Sequence, residues 1–145
     1  MTEAPDISPQ SKARILVVDD DEPIRKLLAE FLGPKSGYDV TTACDGLEAY
    51  QLLSEAHFDV VVTDLSMPKM GGLELMQWAH ANCPDAAWIV LTGQATVDSA
   101  VEAVRLGAFD FLAKPVKGKA LCDLVRDAVE KKQDQERNEC KHCKI

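Results

Sequence analysis

At 145 residues, with 46% hydrophobic and 28% charged residues, the chain has the size and composition of one soluble globular domain. Its formal net charge of −8 opposes a phosphate backbone, so direct nucleic-acid binding is not expected. Apolar runs such as Ile15–Val18 fall far short of the roughly 20 residues that cross a bilayer, and the start, MTEAPDISPQSKA, is no secretory signal, so a cytoplasmic location without membrane attachment is expected.

Residues 1–13 are polar, contain Pro5 and Pro9, and are expected to form a flexible lead-in. A β-branched run, a polar turn and an amphipathic helix then alternate. RILVVD (14–19) is apolar until it ends in acids, which suits a strand buried on both faces. From Glu22 to Leu32 the residues Ile24, Leu27, Leu28, Phe31 and Leu32 recur at helical spacing; Pro23 fits the first turn, and Gly33-Pro34 stops the helix. YDVTTA (38–43) is the second strand. GLEAYQLLSEA (46–56) is the second helix, with Leu47, Tyr50, Leu52 and Leu53 expected on its inner side.

FDVVVTD (58–64) is the third strand, again ending in an acid. The loop LSMPKMGG leads to a helix from about 73 to 82, and AAWIVLT (86–92) is the fourth strand. TVDSAVEAVRLG (96–107) is the fourth helix, closed by Gly107. FDFLAKP (109–115) is the fifth strand. A last helix starts near 118 and runs into the 130s, with Leu121, Leu124, Val125, Ala128 and Val129 on one face. The domain is expected over 14–130. Residues 131–145 read as a charged tail, either a frayed helix extension or the start of a linker.

The five cysteines, an odd number scattered over the chain, do not form the pattern of a secreted disulfide framework. Cys44, Cys83 and Cys122 read as small hydrophobes. Cys140 and Cys143 form half of a zinc site at best, or an incidental feature of the tail. His57, His80 and His142 are expected at the surface.

Five successive β-α units imply an α/β fold, a doubly wound (βα)5 domain with a five-stranded parallel sheet. The expected strand order is the flavodoxin-like 2-1-3-4-5, with a site where the order reverses, at the carboxyl ends of strands 1 and 3. Those ends bear Asp19-Asp20-Asp21 and Asp64, strand 4 ends in Thr92-Gly93, and strand 5 ends in Lys114-Pro115. Carboxylates gathered on one edge repel one another unless a cation neutralises them, and oxygen ligands suit Mg²⁺. A hydroxyl and an ammonium beside them suit phosphate oxygens. Taken singly, each acid reads more readily as a solvated loop residue or a helix cap; taken together, with the threonine and Lys-Pro in this order, they read as a site.

The segments ILVVDDDEPIR, VVVTDLSMPKMGG, WIVLTG and FDFLAKP, in that order and spacing, closely resemble the signatures of bacterial response-regulator receiver domains, over residues 14 to about 130. The resemblance implies a phosphorylation-dependent switch in a two-component system. Asp64 matches the phosphoacceptor. Asp19 and Asp20 match the acidic pair that holds Mg²⁺ (or Mn²⁺), Asp20 directly and Asp19 through water, while Asp21 is not a ligand. The backbone carbonyl of Ser66 matches the third protein ligand. Thr92 matches the switch hydroxyl, Lys114 the phosphate-binding lysine and Phe111 the switch aromatic, although FDFLA also reads as plain core. The Lys114–Pro115 bond matches the family's cis peptide, and Ser66 and Gln94 occupy the positions that tune the lifetime of the acyl phosphate.

The implied partners are a sensor histidine kinase or histidine phosphotransfer protein. Beyond them stand a second copy in a phosphorylation-promoted dimer, or an output domain beyond Ile145. The chain is expected to catalyse only its own phosphoryl transfer and dephosphorylation. Two alternatives are a Mg²⁺-dependent aspartyl-phosphate phosphatase of the haloacid dehalogenase type and a pseudo-receiver that is never phosphorylated. The phosphatase needs a second acid where Ser66 stands, and the pseudo-receiver reading expects a missing acceptor, threonine or lysine.

Overall fold

Valine is the commonest strand residue, and each strand sends alternate residues to opposite faces of the sheet. The computed structural model describes residues 13–33, 37–64, 72–82, 86–93, 101, 104–105 and 107–143, with side chains of the last helix described as far as Lys131. The strands are β1 (Arg14–Val18), β2 (Asp39–Ala43), β3 (Val60–Asp64), β4 (Ala87–Thr92) and β5 (Asp110–Ala113). All pair in parallel, in the order β2-β1-β3-β4-β5 expected from the sequence. The order reverses between β1 and β3, whose register pairs Val18 with Thr63. The next residues up, Asp19 and Asp64, therefore leave the sheet side by side.

Four helices flank the sheet among the described residues: α1 (Glu22–Phe31), α2 (Gly46–Glu55), α3 (Gly72–Asn82) and a C-terminal helix (Gly118–Cys143). On one face Ile15, Val17, Val60, Val62, Ile89 and Leu91 pack against Leu28 and Leu32 at α1 and Leu121, Val125 and Ala128 of the C-terminal helix. On the other face Leu16, Val18, Val61, Trp88 and Val90 meet Ala49 and Leu53 of α2 and Leu75, Met76 and Ala79 of α3. Each fully buried aliphatic side chain of this kind contributes about 1.5–3 kcal/mol over leaving it in water. The C-terminal helix approaches α1 closely at Gly118, where a Cβ would lie 2.8 Å from the Phe31 ring.

The helix starts follow local chemistry. Asp21 caps α1 by accepting from the Ile24 N–H, and Pro23 sits in the first turn. Asp45 caps α2 by accepting from the Glu48 N–H at 2.8 Å, and Glu48 reaches back to the Cys44 N–H at 2.7 Å.

Several inward assignments need correction. Leu47 and Tyr50 are exposed, whereas Gly46, Ala49 and Leu53 form the buried side of α2 and Leu52 packs partly against it. Tyr50 instead packs edge-on against Trp78 of α3, with ring centroids 4.6 Å apart. Among the apolar residues at helical spacing in α1, for which the sequence assigns no inner side, Leu27 is exposed and the buried stripe runs through Leu28 and Leu32. Cys44 is exposed rather than a core residue, since it follows the last inward residue of β2, Ala43; Cys122 is half-buried and donates to the Phe31 carbonyl.

The C-terminal helix continues through the segment read as a charged tail, to Cys143. Residues 131–143 contain no glycine or proline and are rich in Lys, Gln, Glu and Arg, which are good helix formers without an apolar stripe. The fourth helix expected over 96–107 lies largely outside the described residues. Val101, Val104 and Arg105 are helical, and Gly107 follows with φ +92°, in the left-handed region that ends helices.

Candidate functional site

Parallel strands deliver their last residues to one edge. Asp19 follows β1, Asp64 and Thr92 end β3 and β4, and Lys114 follows β5. Asp19 is fully buried, Asp64 and Thr92 are also buried, and Asp20 is exposed beside them. One carboxylate oxygen from each of Asp19, Asp20 and Asp64 lies within 4.8 Å of the other two. Lys114 Nζ donates to Asp19 Oδ2 at 2.9 Å and to Asp64 Oδ2 at 3.1 Å, so one ammonium bridges the two buried carboxylates. Burial by itself would lower the Lys114 pKa, but the hydrogen bonds and charges of Asp19 and Asp64 outweigh it and hold the group above its ordinary 10.5.

The acidic turn is fixed locally. Asp19 donates its N–H to the Ala43 carbonyl at 3.2 Å, and its Oδ1 accepts from the Asp21 N–H at 2.9 Å. Asp21 is occupied as the cap of α1, which explains why an acid beside the pair stays out of the cluster. Thr63, on the opposite pleat from Asp64, is buried and bonds the Asp64 carbonyl at 3.0 Å. Arg25, which the sequence reading passes over, reaches back from α1 and donates to the Asp19 carbonyl at 2.9 Å. An arginine one turn into the helix that follows an acidic strand end is the signal that would have found it.

The residues brought together at the edge are therefore Asp19, Asp20, Asp64 and Lys114, with Thr92 on the neighbouring strand end. Phe111 is not at the edge. It pairs with Val90 while Thr92 pairs with Ala113, so Phe111 and Thr92 sit one pleat apart on the same face, where Phe111 is half-buried against the core. The Lys114–Pro115 peptide is cis. Ser66 and Gln94 lie outside the described residues. Chemically, three clustered carboxylates form a hard-oxygen donor set compatible with a metal ion, next to an ammonium suited to an anion.

Known proteins share both the sequence and this framework. The family model of the response regulator receiver domain matches residues 15–126. The response regulator protein PilR of Pseudomonas aeruginosa is 37% identical over 119 residues, which cover 82% of this chain and 26% of that protein. The transcriptional regulatory protein GlrR of Escherichia coli is 38% identical over 118 residues, covering 81% of this chain and 26% of that protein. The chain thus spans about a quarter of the length of these curated relatives. A receiver domain from Clostridium thermocellum superposes with a TM-score of 0.77 at 34% identity, covering 83% of this chain and 97% of that one. The signal receiver domain of a putative LuxO repressor protein from Vibrio parahaemolyticus gives 0.84 at 26% identity, covering 88% and 98%. With the strand order, the acidic edge and the family match all in agreement, this chain belongs to the response regulator receiver domains of two-component systems.

Proposed function

We propose that the domain is a phosphorylation-dependent switch whose Asp64 accepts a phosphoryl group from a sensor histidine kinase or a histidine phosphotransfer protein. The observation that carries this reading is Lys114, held 3.1 Å from Asp64 Oδ2 and 2.9 Å from Asp19 Oδ2. An ammonium in that place meets the oxygens of a phosphoryl group arriving at Asp64. The cluster of Asp19, Asp20 and Asp64 sets three carboxylates against the Lys114 ammonium, an excess of negative charge that a divalent ion complements. Asp19, Asp20 and Asp64, with the Ser66 carbonyl, are the proposed ligands of Mg²⁺ or Mn²⁺. When bound, the ion supplies neutralising charge to the phosphoryl oxygens.

In the proposed reaction a carboxylate oxygen of Asp64 attacks phosphorus in line with the donor's P–N bond. That bond breaks, its electron pair stays on the imidazole nitrogen, and the new O–P bond makes an acyl phosphate. Lys114 turns from bridging two carboxylates to holding the phosphoryl oxygens. Hydrolysis of the acyl phosphate resets the switch, so the chain catalyses only its own modification and its reversal, and Ser66 and Gln94 tune how fast water arrives. Thr92 moves toward the phosphoryl oxygens, and Phe111, on the same face one pleat below, turns into the space vacated.

The proposed signal leaves through the surface of the fourth helix expected over 96–107, β5 with Phe111, and the C-terminal helix; Val101 and Val104 are already exposed. The surface serves a second copy of the domain or an output module. The relatives named transcriptional regulators suggest transcription as the output. Incubation with acetyl phosphate and Mg²⁺ tests the assignment: intact mass should show one added phosphoryl group on wild type and none on Asp64→Asn. Equal uptake by Asp64→Asn would place the acceptor elsewhere.

A further inference from the structure

Arg25 bonds to the main chain of the acidic turn, not to its carboxylates. The Arg25 N–H bonds to the Asp21 carbonyl at 2.9 Å, which roots the residue in the first turn of α1. Its guanidinium Nη1 then donates to the Asp19 carbonyl at 2.9 Å. That carbonyl belongs to a fully buried residue that directly follows β1 and precedes the exposed Asp20. Asp19 is fixed at its other groups as well, by Ala43, by the Asp21 N–H and by Lys114. The Arg25 contact ties that strand end across the turn to the body of α1.

We propose that Arg25 is a positioning residue that clamps the β1–α1 turn, so that the carboxylates of Asp19 and Asp20 stay within ligand distance of Asp64. This rests on the reading of the edge as a divalent-metal site. A guanidinium has directional donors, and a bond to a carbonyl of the turn restrains the backbone from which Asp20 projects. The competing account is purely electrostatic and has the opposite sign. A positive charge close to the carboxylates competes with a cation, so removing a merely electrostatic Arg25 would tighten metal binding. Removing a clamp loosens it.

The test titrates Mg²⁺ by calorimetry into wild type, Arg25→Ala and Arg25→Lys, each first shown to be folded by far-UV circular dichroism. Metal-free amide exchange is followed at Asp19, Asp20 and Asp21. Arg25→Ala should bind Mg²⁺ about tenfold more weakly, the lower end of what outer partners of metal ligands contribute. Arg25→Lys, which keeps the charge and a single donor, should fall between it and wild type. Without metal, the Asp21 N–H, which bonds Asp19 Oδ1, should exchange faster in Arg25→Ala. Mg²⁺ affinity in Arg25→Ala equal to or tighter than wild type overturns the proposal, and so does unchanged exchange at Asp21. If Asp20→Asn leaves Mg²⁺ affinity unchanged, the metal reading itself has failed, and the metal-free exchange alone then decides whether Arg25 clamps the turn.

Discussion

Both edges of the sheet bear acids, and they treat them differently. At the amino edge, Asp59 Oδ2 accepts from the Arg14 N–H at 2.8 Å, and its Oδ1 lies 3.3 Å from an exposed His57. Asp39 meets Arg14 at 3.8 Å with 59% of its side chain in solvent, so water screens the pair. At the carboxyl edge, Asp19 and Asp64 are buried, a third carboxylate stands within 4.8 Å, and Lys114 is the ammonium that bridges the buried pair. An acid count does not separate the two edges. Burial combined with crowding does, because carboxylates held close together out of water need a cation.

The largest expected difference between the edges follows from removing each one's cation. Lys114→Met leaves the fully buried Asp19 carboxylate without its ammonium, and breaking a buried pair in this way costs about 3 kcal/mol. Urea unfolding measures it, and a loss no larger than that of Arg14→Ala would erase the distinction. The pH dependence sharpens the same comparison. Lys114 titrates above its ordinary value in the folded protein, so its contribution is fully present below that value and is lost as pH rises through the raised one. Wild type should therefore lose an alkaline component of stability that Lys114→Met lacks.

The next effect is that of the metal. Mg²⁺ at about 100 times its dissociation constant should raise wild-type stability by about 2.7 kcal/mol. Asp20→Ala should abolish most of that gain, whereas Asp59→Ala should keep it. Because Asp20 is exposed and repelled by its neighbours, its loss should cost the metal-free fold little. Thermal unfolding with Mg²⁺ and with EDTA reads this out, and an equal Mg²⁺ gain in wild type and Asp20→Ala would place the ion elsewhere.

Much of this was legible in the sequence because strand ends are easy to read. A β-branched run that stops at an acid names both the strand and the residue it delivers, which located Asp19 and Asp64; because parallel strands end on one edge, Thr92 and Lys114 followed from the ends of the fourth and fifth strands. The sheet order followed from five β-α units. Less legible was which side of each helix faces in. Leu47 and Tyr50 match the helical period, yet the buried side of α2 is Gly46, Ala49 and Leu53. Periodicity marks an apolar side chain without measuring the space available to it. Arg25 was illegible for a related reason: its target is a backbone carbonyl, and no residue pattern identifies which carbonyl a guanidinium will reach.

The smallest effect belongs to the amino edge. Arg14→Ala removes a 3.8 Å ion pair to Asp39 and a guanidinium 4.9 Å from the Phe58 ring centre. Arg14 is 39% exposed and its partner more so, so the ionic part is worth well under about 1 kcal/mol, and a partly exposed cation–π contact adds about 0.5–1 kcal/mol. The hydrogen bond to Asp59 survives because its donor is the main-chain N–H of residue 14, which alanine also has. The expected total is about 1 kcal/mol, with the ionic fraction disappearing in high salt. Measuring Arg14→Ala by urea unfolding at low and high salt checks both parts. A salt-independent loss as large as that of Lys114→Met would mean that the amino edge also holds a desolvated charge network, and the contrast between the two edges would fail.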